Sequence, residues 1–166
     1  MARDDFCNSC GTRYADTAGY PRKCPGCAHM VWANPSPVVV LLVPVKDGGR
    51  TGLLTVRRAI PPVGQLAFVS GFMDLGESWQ QSAVRELEEE ANVRIDPDGL
   101  RPLHFVSTPD GDAVLLFAAA PVINAEDMPP FVPNEEASER KVIFEREPLA
   151  FPLHNEVAAR YFSTEQ

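Results

Sequence analysis

No apolar run in this sequence approaches the roughly 20 residues needed to cross a bilayer. The two most apolar stretches, Val38 to Val45 and Ala113 to Ile123, fall far short. The opening Met-Ala-Arg-Asp-Asp-Phe holds nothing like the apolar core of a secretory leader, so a soluble, cytoplasmic protein with no membrane partner is expected. Positive charge is also scarce. Lysine and arginine total 15 against 23 acids, a formal charge of −8, which disfavours sequence-independent nucleic-acid binding, where a basic face must release counterions. An acidic chain can still take an acidic substrate if metal ions stand between them. Repeats and low-complexity tracts are absent too. Proline runs the other way, at 16 of 166 residues, about twice the usual share of roughly 5 %, and stiff loops follow. With 45 % hydrophobic residues, a chain of this length buries roughly 70 % of its extended surface and builds a real core.

Cysteines number only four, but their spacing is informative. Cys7 and Cys10 form one C-x-x-C, Cys24 and Cys27 a second, with 13 residues between the pairs. Each pair fits a tight knuckle, and two knuckles supply four thiolates for one tetrahedral Zn²⁺. Disulfides are disfavoured in a reducing compartment. A redox role would need one C-x-x-C in a thioredoxin-like setting, which is missing. Gly11 and Gly26 sit where the knuckle backbone turns. Residues 1–34 have too few aliphatics to fold unaided, and a structural zinc would supply on the order of 10–16 kcal/mol. Asn34-Pro35-Ser36-Pro37 marks the boundary, leaving 35–166 as a second domain.

That second domain opens with a β-branched run, Val38 to Val45, which reads as one strand of a hairpin turning at 46–50 into Gly52–Arg57. Pro44 places an edge or bulge near the end of the first strand. A short strand at 67–69, a helix near 78–91, strands near 102–108, 113–120 and 141–144, and a final amphipathic helix near 153–162 follow. The proline-rich 59–66 and 121–133 segments read as irregular loops bordering a substrate. Strands at both ends and between two helices predict an α/β fold, an α/β/α sandwich around a mixed sheet.

The chemistry sits on the first helix. At about 100° per residue, Glu86, Glu89 and Glu90 share an arc of roughly 100°, beside the apolar stripe of Ala83, Val84, Leu87 and Ala91. Like charges at this spacing repel. Arg85 beside Glu89 offsets one of them, and the others suit Mg²⁺ or Mn²⁺, hard ions that prefer oxygen ligands. Most glutamate runs are merely solvated faces. The wider spacing separates this one from them: Gly71, five residues, Glu77, seven residues, then Arg85-Glu86-Leu87-x-Glu89-Glu90-x-x-Val93. It resembles the Nudix box, G-x5-E-x7-R-E-U-x-E-E-x-G-U with U aliphatic, at every fixed position but one. The second glycine is Asn92 here, and asparagine is the next most tolerant residue of the left-handed backbone expected past a helix end.

The resemblance implies a Nudix-type fold and a pyrophosphohydrolase of nucleoside diphosphates linked to another group. It implies Glu86, Glu89, Glu90 and the Gly71 carbonyl as Mg²⁺ or Mn²⁺ ligands, and Glu89 or Glu90 as helper in deprotonating water. The resemblance also implies that Glu77 pairs with Arg85 to hold the loop against the helix. A Cys₄ ribbon running through Trp32-Ala33-Asn34-Pro35 into such a domain is similar to the branch of NADH, FAD and ADP-ribose pyrophosphatases, whose members are often homodimers. The NADH enzymes carry a Ser-Gln-Pro-Trp-Pro-Phe-like motif. Neither Glu135–Arg140 nor Pro148–Pro152 contains it, which favours FAD or ADP-ribose, with release of AMP, over NADH or NAD-capped RNA. Candidate substrate contacts are Arg58 (or Arg57) for phosphate, Phe72 for a base and Glu139 as a late carboxylate. His104 and His154 receive no role. Two other readings compete: a non-catalytic sensor, which would have lost box carboxylates, and a ribbon that guides the enzyme to RNA.

Overall fold

The structure, a computed structural model, describes residues 5–15 and 19–164. It divides into two compact units, Met1–Pro35 and Ser36–Gln166. In the first, β1 (Arg22–Lys23) pairs antiparallel with β2 (Met30–Val31). The two knuckles repeat one geometry. Gly11 N–H donates to the Cys7 carbonyl at 2.8 Å and Ala28 N–H to the Cys24 carbonyl at 2.9 Å, with both residues in the left-handed region at φ 71° and 61°. Ser9 and Gly26 N–H groups donate to the Cys7 and Cys24 Sγ atoms at 3.4 and 3.3 Å. The left-handed residue of the second knuckle is thus Ala28. Gly26 is required for a different reason, because a Cβ there would lie 2.3 Å from Thr12 Oγ1.

The described residues of the second unit build nine strands and two α-helices: β3 (Ser36–Leu42), β4 (Pro44–Asp47), β5 (Arg50–Arg58), β6 (Leu66–Ala67), β7 (Ser70–Phe72), α1 (Trp79–Ala91), β8 (Arg101–Ser107), β9 (Ala113–Ala119), β10 (Ile123–Asn124), β11 (Ala137–Ile143) and α2 (Pro152–Thr164). They form two sheets, β7-β3-β9-β8 and β10-β4-β5-β11, with β6 added to β5. Both are mixed: β3/β9 and β4/β10 are parallel, and the other pairs antiparallel.

The run Val38 to Val45 is therefore not one hairpin strand. Leu42 still pairs with Ala119 of the first sheet, the Val43 carbonyl accepts from Leu54 N–H at 3.0 Å, and Pro44 pairs with Leu53 of the second sheet. Pro44 opens β4, where its missing N–H costs least. Alternation along this run explains its unbroken apolarity. Val39, Leu41, Val43 and Val45 enter one core with Ala83, Leu87 and Ala91 of α1. Val40 and Leu42 enter another with Leu53, Phe117, and Val157 and Ala158 of α2. Both faces of the β-layer are covered, which is the α/β/α arrangement, with each fully buried Leu or Phe worth roughly 1.5–3 kcal/mol.

Two loop expectations change. Segment 121–133 carries β10 and a 3₁₀ turn, and it packs Ile123, Met128 and Phe131 onto the α1 core; it does not line the cleft described below. Strand β11 begins at Ala137, four residues before the sequence places it.

Candidate active site

Helix α1 starts on a capping box. Ser78 Oγ accepts the Gln81 N–H at 3.2 Å, and Gln81 Oε1 accepts the Ser78 N–H at 2.8 Å. This fixes the helix phase, and with it Glu86 and Glu90 point inward, 7 % and 4 % exposed. Across from them lies β7. A Cβ on Gly71 would sit 2.0 Å from the Glu86 Cδ, so only glycine leaves room for that carboxylate. Ser70 N–H points at Glu90 Oε2, 3.4 Å away.

Arg85 organises the acids around it. Its Nε and one terminal nitrogen donate to both oxygens of Glu77 at 2.9 and 3.0 Å. The other donates to Glu86 Oε1 at 2.7 Å and Glu89 Oε2 at 3.1 Å, and the Phe72 carbonyl accepts a further bond at 3.0 Å. Only a planar guanidinium fork reaches this many acceptors. Glu77 also accepts from Ser82 Oγ at 2.5 Å. Arg85 and Ser82 together hold its carboxyl down at about 2, so it stays ionised. Glu90 behaves oppositely. Burial, reinforced by the charge of Glu86, pushes its carboxyl up to about 8 against Ser70 N–H and Arg58. Glu86 is also pushed up, by burial, against the pull of Arg85.

A fourth acid enters from the loop before β11. One carboxylate oxygen each of Glu86, Glu90 and Glu136 lie within 4.8 Å of one another. An octahedron with 2.1 Å arms separates its donors by about 3.0 to 4.2 Å, so these three fit a divalent ion. Asn134 positions Glu136: its Oδ1 accepts from the Glu136 and Ala137 N–H groups at 2.9 and 2.8 Å, and its Nδ2 donates to the Glu89 carbonyl at 2.8 Å. Asn92 adopts the left-handed backbone, φ 55° and ψ 35°, and its Oδ1 accepts the Val132 N–H at 2.7 Å. Arg140 donates to the Ala91 carbonyl at 2.7 Å. Segment 132–140 is thus stitched to the C-terminal end of α1, where donors and cations are favoured.

The acids line a cleft of about 660 Å³, within the range for small-molecule sites. Glu86, Glu89, Glu90 and Glu136 line it together with an apolar wall that includes Val38, Leu115, Phe151 and Leu153. Gly71, Phe72 and Arg58 border it as well, Phe72 63 % exposed and the Arg58 guanidinium 4.9 Å above the Phe151 ring. Glu139 does not reach the cleft. It pairs with Arg57 Nε at 2.6 Å, while Arg57 also donates to the Gly64 carbonyl. Strand alternation is the reason: β11 aims residue 139 at its neighbour on β5, and Glu136 precedes the strand. In the first unit, Cys7, Cys10, Cys24 and Cys27 cluster, with Sγ separations of 3.8 Å (Cys7–Cys27) and 3.6 Å (Cys10–Cys24). A tetrahedron with 2.3 Å arms has edges of about 3.8 Å, so the four could bind zinc.

Sequence reasoning missed two cleft residues. Glu136 had a weak signal in the Glu135-Glu136 pair. His154 had none, since its neighbours come from distant strands. It is 2 % exposed among the rings of Phe68, Phe117 and Phe151, at centroid distances of 5.5, 5.8 and 5.0 Å.

A layered α/β unit with an acidic helix face opening on a nucleotide-sized cleft defines a candidate metal-assisted site. The chain belongs to the NUDIX family, whose domain pattern matches residues 35–163. It is 33 % identical over 92 residues to the mitochondrial NAD(P)H pyrophosphatase NUDT13 of Mus musculus, and 34 % identical over 91 residues to the NAD-capped RNA hydrolase NudC of Pseudomonas aeruginosa. Those matches cover 55 % and 54 % of this chain and 25 % and 31 % of the relatives, so it spans about a quarter to a third of their length. Among solved structures, a NUDIX hydrolase from Nitrosomonas europaea superposes with TM-score 0.70 at 26 % identity, covering 96 % of this chain and 90 % of the other. The NUDIX domain of Shewanella oneidensis NrtR, solved with ADP ribose, has the same fold, with TM-score 0.65 at 20 % identity and coverage of 80 % and 89 %.

Two predictions follow from this geometry. Gly71→Ala folds, with a stability loss of about 1–2 kcal/mol, but displaces the Glu86 carboxylate; Mn²⁺ affinity, read by electron paramagnetic resonance titration, falls tenfold or more. The second concerns pH. Between about 4.5 and 8, Glu90 is protonated in the metal-free fold and ionised in the unfolded chain. The unfolded state then binds fewer protons, so metal-free stability falls as pH rises through this window, by up to a few kcal/mol. Denaturant titrations of wild type and Glu90→Gln at pH 5 and pH 8 check this, and the variant shows the smaller pH dependence.

Proposed function

We propose that this chain is a divalent-metal-dependent pyrophosphohydrolase that cleaves the diphosphate linkage of an ADP-containing compound and releases AMP. The single observation carrying this is the convergence of Glu86, Glu90 and Glu136 within 4.8 Å, beside Glu89, in a cleft with an apolar wall. Mg²⁺ or Mn²⁺ would be held by Glu86, Glu89, Glu90 and Glu136, with the Gly71 carbonyl a further ligand. When bound there, the ions supply diphosphate neutralisation and a more acidic water.

The chain's own residues divide the remaining work. Glu89 or Glu90 receives the proton of the attacking water. Glu90 is the more enclosed, and Glu89 shares an oxygen with Arg85. Arg85, fully occupied by Glu77, Glu86, Glu89 and the Phe72 carbonyl, is a positioning residue that sets the carboxylate spacing. Arg58, poised over Phe151, offers a positive charge to phosphate. The apolar wall and Phe72 accept the planar base and keep water away from it.

FAD and ADP-ribose are favoured because neither Glu135–Arg140 nor Pro148–Pro152 carries a Ser-Gln-Pro-Trp-Pro-Phe-like motif. The names of the curated relatives favour a second reading, in which NAD(H) or an NAD cap is the substrate. The ribbon is proposed as residues 1–34 closed by one Zn²⁺ on Cys7, Cys10, Cys24 and Cys27, ahead of the catalytic domain at 35–166, and the enzyme as a homodimer.

Incubation with Mg²⁺ or Mn²⁺ and FAD, ADP-ribose, NADH or NAD-capped RNA, with mass detection of products, is expected to give AMP, or a 5′-monophosphate end from the capped RNA. Glu90→Gln lowers kcat about 10²- to 10⁴-fold at unchanged thermal stability or better. Failure of every substrate with metal binding confirmed would falsify the reading. The ribbon is checked separately: elemental analysis finds one zinc per chain, and Cys24→Ser abolishes it without removing Mn²⁺ binding.

A further inference from the structure

His154 is buried in a cleft wall, yet it keeps one polar atom unspent. The Phe68 N–H donates to His154 Nδ1 at 3.3 Å. A backbone amide can only donate, so Nδ1 is the unprotonated nitrogen and the proton resides on Nε2. Among the described residues no acceptor meets that Nε2–H, and the side chain lines the cleft. That atom is not among the buried side-chain atoms left without a partner, so it opens on the cleft, where a ligand acceptor can take the place of water. A cleft ligand is the partner within reach.

The surroundings fix what kind of ligand this is. Phe68, Phe117 and Phe151 hold the imidazole in a rigid ring cluster. Asn155 clamps the turn that delivers it: its Oδ1 accepts from Leu149 N–H at 2.9 Å, and its Nδ2 donates to the Leu149 and Phe151 carbonyls at 2.8 and 2.9 Å. Burial, with the positive charge of Arg58 as a second cause, pushes the imidazole down to about 3. The ring is therefore neutral across the working pH range and cannot pair with phosphate as a cation. It is a fixed, uncharged donor on the wall it shares with Phe151 and Leu153. That matches an uncharged acceptor on a planar group: a ring nitrogen, or a carbonyl or carboxamide oxygen of a base.

We infer that His154 is a specificity-determining residue, whose Nε2–H donates to an acceptor atom on the planar heteroaromatic part of the substrate while the Phe68 amide holds the imidazole in the required tautomer. This rests on the diphosphate-hydrolase reading of the same cleft and adds the feature by which one end of the substrate is read.

The test pairs kinetics with a direct view of the imidazole. His154→Phe keeps a ring but loses the donor; His154→Gln keeps an N–H near the Nε2 position. On the best substrate, His154→Phe raises KM about fivefold to tenfold, the loss of one neutral hydrogen bond, with kcat within about twofold and the rise constant between pH 6 and 8. His154→Gln recovers most of it. In metal-free wild type, the His154 nitrogen resonances, assigned among three histidines by comparison with His154→Gln, report the Nε2–H tautomer, and they shift on titration with ADP-ribose or AMP. Unchanged KM in a folded His154→Phe variant, or ligand saturation that moves other cleft signals and leaves His154 still, overturns the assignment and spares the hydrolase reading. Absence of turnover of every substrate by wild type overturns both.

Discussion

Three carboxylates brought within 4.8 Å of one another, two of them buried, are the constraint from which the rest of this structure follows. Glu86, Glu90 and the exposed Glu136 repel one another, the first two lose hydration by burial, and Glu90 keeps its proton up to about pH 8 as a result. The fold tolerates the arrangement because one arginine binds three acids from a single fork, and because β7 presents a glycine where any Cβ would strike Glu86. What remains uncompensated is an appetite for cations. The site is stable enough to exist and strained enough to bind, as a scaffold for divalent ions requires.

Glu77 shows the complementary design. It is as acidic as its neighbours are basic, held near 2 by Arg85 and Ser82, and it pairs with Arg85 and Ser82 instead of joining the Glu86–Glu90–Glu136 cluster. Two glutamates thirteen positions apart thus carry opposite proton affinities through environment alone. One anchors the arginine; the other is left free to take ligand or proton.

Much of this is legible in the sequence. The helix arc placed Glu86, Glu89 and Glu90 beside the apolar stripe, and burial of Glu86 and Glu90 with exposure of Glu89 follows the same arc. Gly71 was marked by spacing; the reason for it, contact with Glu86, needed the third dimension. The division of Val38–Val45 between two sheets could not be read, because a run buried on both faces looks the same whether it stays in one sheet or crosses to another. Glu136 and His154 escaped for a related reason. Their partners lie across the fold, and no periodicity links residue 136 to 90 or residue 154 to 68. Glu139 was chosen instead from the same acidic stretch, and strand alternation turned it toward Arg57.

Asn92 stands where the Nudix box has glycine, and its side chain does more than tolerate the left-handed turn. By accepting from Val132 it fastens to the helix end the segment that leads to Asn134 and Glu136. Asparagine also samples fewer conformations than glycine when the chain is unfolded, so less freedom is surrendered on folding. A change that looks like drift from the motif thus moves the entropy balance of the whole domain toward the folded state, and the rigidity it confers is delivered at the rim of the carboxylate cluster.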